Sequence, residues 1–173
     1  MFFIVVYQNA LLVLITLPAA VAAAAGAPLT PWDAVWAVLF LGALAGETVA
    51  DQQQWEFHRA KARAGGALAP GFVTTGLWRF SRHPNFFFEQ MQWWLVYAFG
   101  ATAAVAGGAG WWGGVLNPSL VGAALLTVLF IGSTIFTESI SAGKYPAYAQ
   151  YRGQTSMLLP LPPRARRDAS VTR

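Results

Sequence analysis

The sequence contains no cysteine, which excludes disulfide frameworks, thiolate zinc sites, iron–sulfur clusters and cysteine nucleophiles. Charge is scarce as well: charged residues make up 10% of the chain, against about 25% in a typical soluble globular domain. An ordinary soluble domain is therefore excluded. Long polar tracts are missing too, and with 14% aromatic residues the chain lacks the low hydrophobicity that keeps a disordered protein unfolded. What is present is apolar surface. Of the 173 residues 56% are hydrophobic, and the mean hydropathy is +0.47. This composition predicts an all-α integral membrane bundle.

Four stretches approach the roughly 20 apolar residues that a helix needs to cross a hydrocarbon layer about 30 Å thick. Phe2 to Ala25 carries no charge and ends at the breakers Gly26, Pro28 and Pro31. Trp32 to Ala50 is the second stretch, with Asp33 and Glu47 near its ends. No charged residue occurs between Gln90 and Thr137. The glycines from Gly107 to Gly114, with Asn117-Pro118, divide that length into spans near Phe86 to Ala106 and Leu116 to Thr137. The 11 basic residues fall in two groups only. Arg59, Lys61, Arg63, Arg79 and Arg82 lie between the second and third spans; Lys144, Arg152, Arg164, Arg166, Arg167 and Arg173 follow the fourth. Because Lys and Arg near span ends stay cytoplasmic, both termini and the long central loop are expected in the cytoplasm. Residues 1–163 then form one membrane domain, and 164–173 a disordered basic tail. A secretory signal is disfavoured, since no Lys or Arg precedes the first apolar run and the run exceeds an ordinary signal core. The net charge of +4 suits an anionic leaflet or a phosphorylated small molecule, not nucleic acid. Ala, Gly and Arg usage points to a bacterial plasma membrane.

Ionisable side chains near membrane segments are functional candidates by default. Glu47, Asp51 and His58 follow one another at offsets of 4 and 7, on one helix face. With His83 they invite a metal reading, but no HExxH or similar compact ligand pair is present and no metal is expected. Glu56, Arg59, Lys61 and Arg63 read as the wet polar face of a span end. Glycines and Pro70 mark a loop from Gly65 to Gly71, and Pro84 suits the first turn of the next helix. Ser81, Arg82 and His83 then sit at a helix N-terminus where, with Arg79, they make a cradle for a phosphate or an anionic lipid headgroup. Asn85 and Glu89 share a face that Gln92 continues, either lining a cavity or gluing helices together. Pro146 starts a short helix on which Tyr148, Tyr151, Arg152 and Thr155 share a side. With Glu138, Lys144 and Tyr145 nearby, that group taken alone reads as an interfacial belt.

These pieces together resemble a known family. Gly76-Leu77-Trp78-Arg79-Phe80-Ser81-Arg82-His83-Pro84-Asn85-Phe86 followed by Glu89, with Ala50-Asp51 upstream and Tyr148, Tyr151, Thr155-Ser156 and Pro160 downstream, is similar to the C-terminal domain of the steroid 5-alpha-reductase superfamily. Trp55-Glu56-Phe57 and Phe136-Thr137-Glu138 resemble its uncharacterised bacterial and fungal branch. The resemblance implies an integral membrane reductase that uses NADPH to saturate a conjugated carbon–carbon double bond in a lipid-like substrate. It puts Asp51, His58, Arg82, His83, Asn85 and Glu89 around the cofactor, with Glu138, Tyr148 and Tyr151 closing the cytoplasmic side. Relatives often have Lys or Arg where this chain has His58. They also carry further helices upstream, the source of the acid–tyrosine pair that polarises the substrate carbonyl, so no catalytic acid is assigned here. The isoprenylcysteine carboxyl methyltransferases, which use S-adenosylmethionine, resemble the same region, and a non-catalytic membrane role is the third expectation.

Overall fold

A computed structural model describes residues 2–66 and 68–164; the expected tail from residue 165 on lies outside them. The described residues are all-α, with one isolated bridge between Ser81 and Ser156 and no strand. Six α-helices run in order: α1 Phe2–Ala25, α2 Pro31–Arg63, α3 Pro84–Ala104, α4 Gly110–Val115, α5 Leu120–Lys144 and α6 Tyr148–Gln154. A 3-10 turn, Gly76–Arg79, precedes α3, and a π-helical turn, Val105–Ala109, follows it.

Helix α2 starts where the chemistry asks it to. The Asp33 carboxylate accepts hydrogen bonds from the Thr30 N–H at 2.6 Å and the Thr30 hydroxyl at 2.9 Å, the third-position half of a capping box, and Pro31 fills the first helical position without losing a bond. The helix then runs 33 residues, or about 50 Å, well past the Ala50 end expected from hydropathy. Helix α5 also outlasts its expected span. Asn117 accepts from the Ser119 N–H at 3.0 Å and donates to the Gly114 carbonyl at 2.7 Å, delaying the start to Leu120, and the helix reaches Lys144. The glycines expected to divide the two spans do so by forming the π turn and α4, with Gly108 and Gly110 at φ of +95° and +70°.

Helices α1, α2 and α5 are long and apolar enough to cross a membrane. Only 11% of the apolar window of α2 is buried within the protein; Val38 and Leu41, for example, are exposed. A buried core helix would be covered, so this apolar surface is that of a membrane protein. Helix α3 has 21 residues and falls short on hydropathy, because Asn85, Glu89, Gln90 and Gln92 dilute its apolar run.

The chain divides into two compact units, one of residues 1–45 and 88–133, the other of 46–87 and 134–173. In the first, Leu11, Ile15 and Leu126 form a core cluster against Trp93 and Phe130, and Tyr97, Ala101 and Ala123 a second. Backbones approach closely here. Pro18 has no N–H to give the Leu14 carbonyl four residues earlier, and Gly122 packs against that carbonyl so tightly that a Cβ would overlap its oxygen.

Candidate functional site

The second unit carries the polar chemistry. Its loop is pinned to α2 by the Trp78 indole N–H, which donates to the Ala50 carbonyl at 3.0 Å, and by the Leu77 N–H, which donates to Gln53 Oε1 at 2.9 Å. Gly76 sits at φ +61° against the Gln53 amide, where a Cβ would collide. The chain then runs beside the C-terminal segment. The Arg82 N–H donates to the Ser156 carbonyl at 2.9 Å and the Leu161 N–H to the Phe80 carbonyl at 3.0 Å. Ser81, fully buried, donates its hydroxyl to the Leu158 carbonyl at 2.7 Å and accepts from the His83 N–H at 3.1 Å, just before α3.

This anchoring presents Arg82 to Glu138 on α5. The guanidinium forks onto the carboxylate, Nε to Oε1 at 2.6 Å and Nη2 to Oε2 at 3.0 Å. Nη1 donates to the carbonyls of Arg152 and Thr155 at the end of α6. His83 Nε2 lies 3.2 Å from Glu138 Oε1, and Arg152 Nε 3.5 Å from Oε2. Arg82 and Glu138 are buried, His83 is half-buried and Arg152 exposed. The expected phosphate cradle therefore has a different composition. Arg82 spends its donors inside the protein, leaving Arg79 as the exposed guanidinium of that segment, 5.7 Å from the Phe80 ring centroid.

Tyr148 and Tyr151 are no interfacial belt, being only 5% and 9% exposed. They pack on Phe72 with ring centroids 5.0 and 5.3 Å from it, and the Tyr151 hydroxyl donates to the Trp78 carbonyl at 2.5 Å. Burial, and then the Glu138 charge, pushes the Tyr148 phenol up to about 12. Burial, followed by neighbouring Tyr148, raises Tyr151 further. Tyr145 moves the other way. The Lys61 ammonium donates to its oxygen at 2.8 Å and lowers its pKa.

The remaining predicted residues divide. Asn85 Nδ2 donates to Asp51 Oδ1 at 3.0 Å, while Asn85 Oδ1 is buried with no hydrogen-bond partner. His58 is exposed and lines a cavity of about 180 Å³ with Arg82, Tyr145 and Tyr148. Glu89 follows Asn85 one turn on, half-buried, where α3 passes into the first unit. Gln92 returns its amide to the Phe88 carbonyl of its own helix at 3.4 Å. Among the described residues no three His, Cys, Asp or Glu side chains gather as metal ligands. Sequence reasoning missed Gln53 and Phe72; the positive-φ glycines Gly71 and Gly76 flanking Phe72 are the signal that marked this loop as tightly packed.

The first unit has its own cavity, about 600 Å³, lined by Trp32, Trp36, Trp94, Tyr97 and apolar neighbours. Three of its aromatic polar groups are already used. Trp36 donates to Thr102 at 2.9 Å, Trp94 to Thr127 at 3.0 Å and Tyr97 to the Val115 carbonyl.

Residues 1–155 match the family described as "Protein of unknown function (DUF1295)". The chain belongs to that family. Every predicted site residue, from Asp51 to Tyr151, lies within the matched DUF1295 segment. The chain is also similar to an uncharacterized protein of Schizosaccharomyces pombe, with 33% identity over 174 residues that cover 92% of this chain. It spans about half of that relative, 48% of its length. No solved structure matches it.

Proposed function

We propose that this DUF1295 chain forms the cofactor-holding part of an integral membrane reductase of the steroid 5-alpha-reductase type. It uses NADPH to saturate a conjugated carbon–carbon double bond in a lipid-like or steroid-like substrate. The observation that carries this reading is the Asn85–Asp51 pair. Asn85 Oδ1 is a buried acceptor with no partner, held in place because its amide nitrogen already donates to Asp51. A buried orphan acceptor costs about 1–3 kcal/mol, and beside a carboxylate it fits a ligand that brings donors. The nicotinamide carboxamide and the ribose hydroxyls are such donors, so the residues present fit NADPH. His58 and Arg79 supply exposed donors for its phosphates.

When bound, NADPH would supply the hydride for the carbon β to the withdrawing group, the matching proton for the adjacent carbon coming from a separate donor. The chain's own residues bind and orient. Asp51 and Asn85 fix the carboxamide or ribose. Arg82 and His83 hold Glu138, which together with Tyr148 and Tyr151 walls the cytoplasmic side and excludes water. The apolar cavity of the first unit, lined mainly by aromatic and aliphatic side chains, suits the hydrocarbon of a lipid-like molecule. In this reading α3 is a fourth crossing helix, both termini are cytoplasmic, and the membrane is a bacterial plasma membrane.

The test is NADPH titration of the detergent-purified protein, followed by tryptophan fluorescence, with Asn85→Ala and S-adenosylmethionine as controls. Saturable NADPH binding that weakens at least tenfold in Asn85→Ala is expected. A response to S-adenosylmethionine with indifference to NADPH overturns the reading in favour of a methyltransferase, and indifference to both favours a non-catalytic role.

A further inference from the structure

A second cavity of the polar unit, about 390 Å³, is lined by Phe72, Thr74, Arg79, Gln150, Tyr151 and Gln154 among others. That volume is at the low end of small-ligand sites, about 300–1,000 Å³, with room for half of a dinucleotide. Its lining is the reverse of the apolar cavity's. Among the described residues, the side chains of Thr74, Gln150 and Gln154 make no hydrogen bond and the Arg79 guanidinium meets no carboxylate. Gln150 and Gln154 lie four apart on α6 and so share a face, offering amide donors and acceptors of the kind that read a purine edge. Phe72 and Tyr151 supply apolar ring surface and also line the 180 Å³ cavity next to His58, so the two cavities share a wall. Arg79 brings a planar, always-charged fork suited to a phosphate, and no neighbouring acid neutralises it.

We infer that this pocket takes the adenosine 2'-phosphate half of NADPH, with Arg79 as the residue that distinguishes NADPH from NADH. The inference rests on the reductase reading and adds to it the identity of the specificity residue. The two dinucleotides differ only in the 2'-phosphate, so a residue reading that group changes their ratio. Losing one charge-assisted contact corresponds to roughly a tenfold to hundredfold change in affinity.

The experiment measures NADPH, NADH and adenosine 2',5'-bisphosphate binding to the full chain in detergent, for wild type, Arg79→Ala and Arg79→Lys. Arg79 is exposed and carries no ion pair among the described residues, so both variants should unfold at the wild-type temperature, which is checked first. Expected are a wild-type preference for NADPH of about tenfold or more, its loss in Arg79→Ala through weaker NADPH binding, partial recovery in Arg79→Lys, and displacement of NADPH by the bisphosphate. A preference that survives in Arg79→Ala, or equal wild-type affinities, overturns the inference and leaves the reductase reading standing. Failure of wild type to bind either dinucleotide overturns both.

Discussion

Glu138 organises the polar side chains of the second unit, and removing it or its partners has unequal consequences. Arg82 is 8% exposed and its charge is balanced by the Glu138 carboxylate. Glu138→Ala strands that cation, and breaking a buried pair in this way costs about 3–5 kcal/mol. Thermal unfolding in detergent should show a large fall in midpoint. Asn85→Ala should behave differently, because Oδ1 has no internal partner to lose and its one bond goes to exposed Asp51. Its unfolding midpoint should stay near wild type while NADPH affinity falls. The tyrosines provide a pH signature. Tyr148 is raised to about 12 in the fold from an unfolded value near 10, so the folded state holds that proton more tightly. Its contribution to stability is complete below pH about 10 and is lost as pH rises toward about 12. Phenolate absorbance should show Tyr145 ionising first, with Tyr148 and Tyr151 ionising late and together with unfolding. Phe substituted for Tyr145 should remove the early phase alone. Sequence spacing put Tyr148 and Tyr151 on one face, but the partner of Glu138 was hidden, since Arg82 stands 56 residues away and no local pattern encodes such a pairing.

At the scale of elements, each helix boundary has an identifiable cause. Hydropathy marked the apolar core of α2 and stopped at Ala50, yet the helix continues through Glu56 and Arg59 to Arg63 because propensity and i,i+4 contacts such as Gln52 to Glu56, 2.7 Å, sustain a wet helix as well as a greasy one. Apolarity and helicity are different properties of the same segment. Helices α1 and α5 meet where Pro18 leaves the Leu14 carbonyl without a helical donor and Gly122 lets the backbones touch. A side chain there has nowhere to go. Gly122→Val is expected to lose about 1–3 kcal/mol, as overpacking does, seen as a lower unfolding midpoint. Gly132→Ala, with nothing within 4 Å of an added Cβ, should leave it unchanged.

For the whole molecule, the absence of cysteine makes topology directly measurable. Single cysteines at Ala64 and Gly153, both exposed, should react with a membrane-impermeant maleimide only when the cytoplasmic side is open. A cysteine at Leu29, 90% exposed, should react from the opposite side. Labelling of all three from one side would overturn the proposed orientation. Composition and the length of the apolar runs already pointed to membrane-crossing helices, and the described residues are all-α with three helices long and apolar enough to cross. The place of Ser81-Arg82-His83 just before α3 was also legible, since Pro84 marks a first helical turn by local chemistry, whereas the pairing of Asn85 with Asp51 across 34 residues was not. Only the tertiary structure decided that Arg82 is consumed by Glu138, that Tyr148 and Tyr151 are interior, and that Arg79 faces an open pocket. Those outcomes depend on which side chains from distant segments reach one another first, and burial then fixes the choice by making any unpaired charge or donor costly.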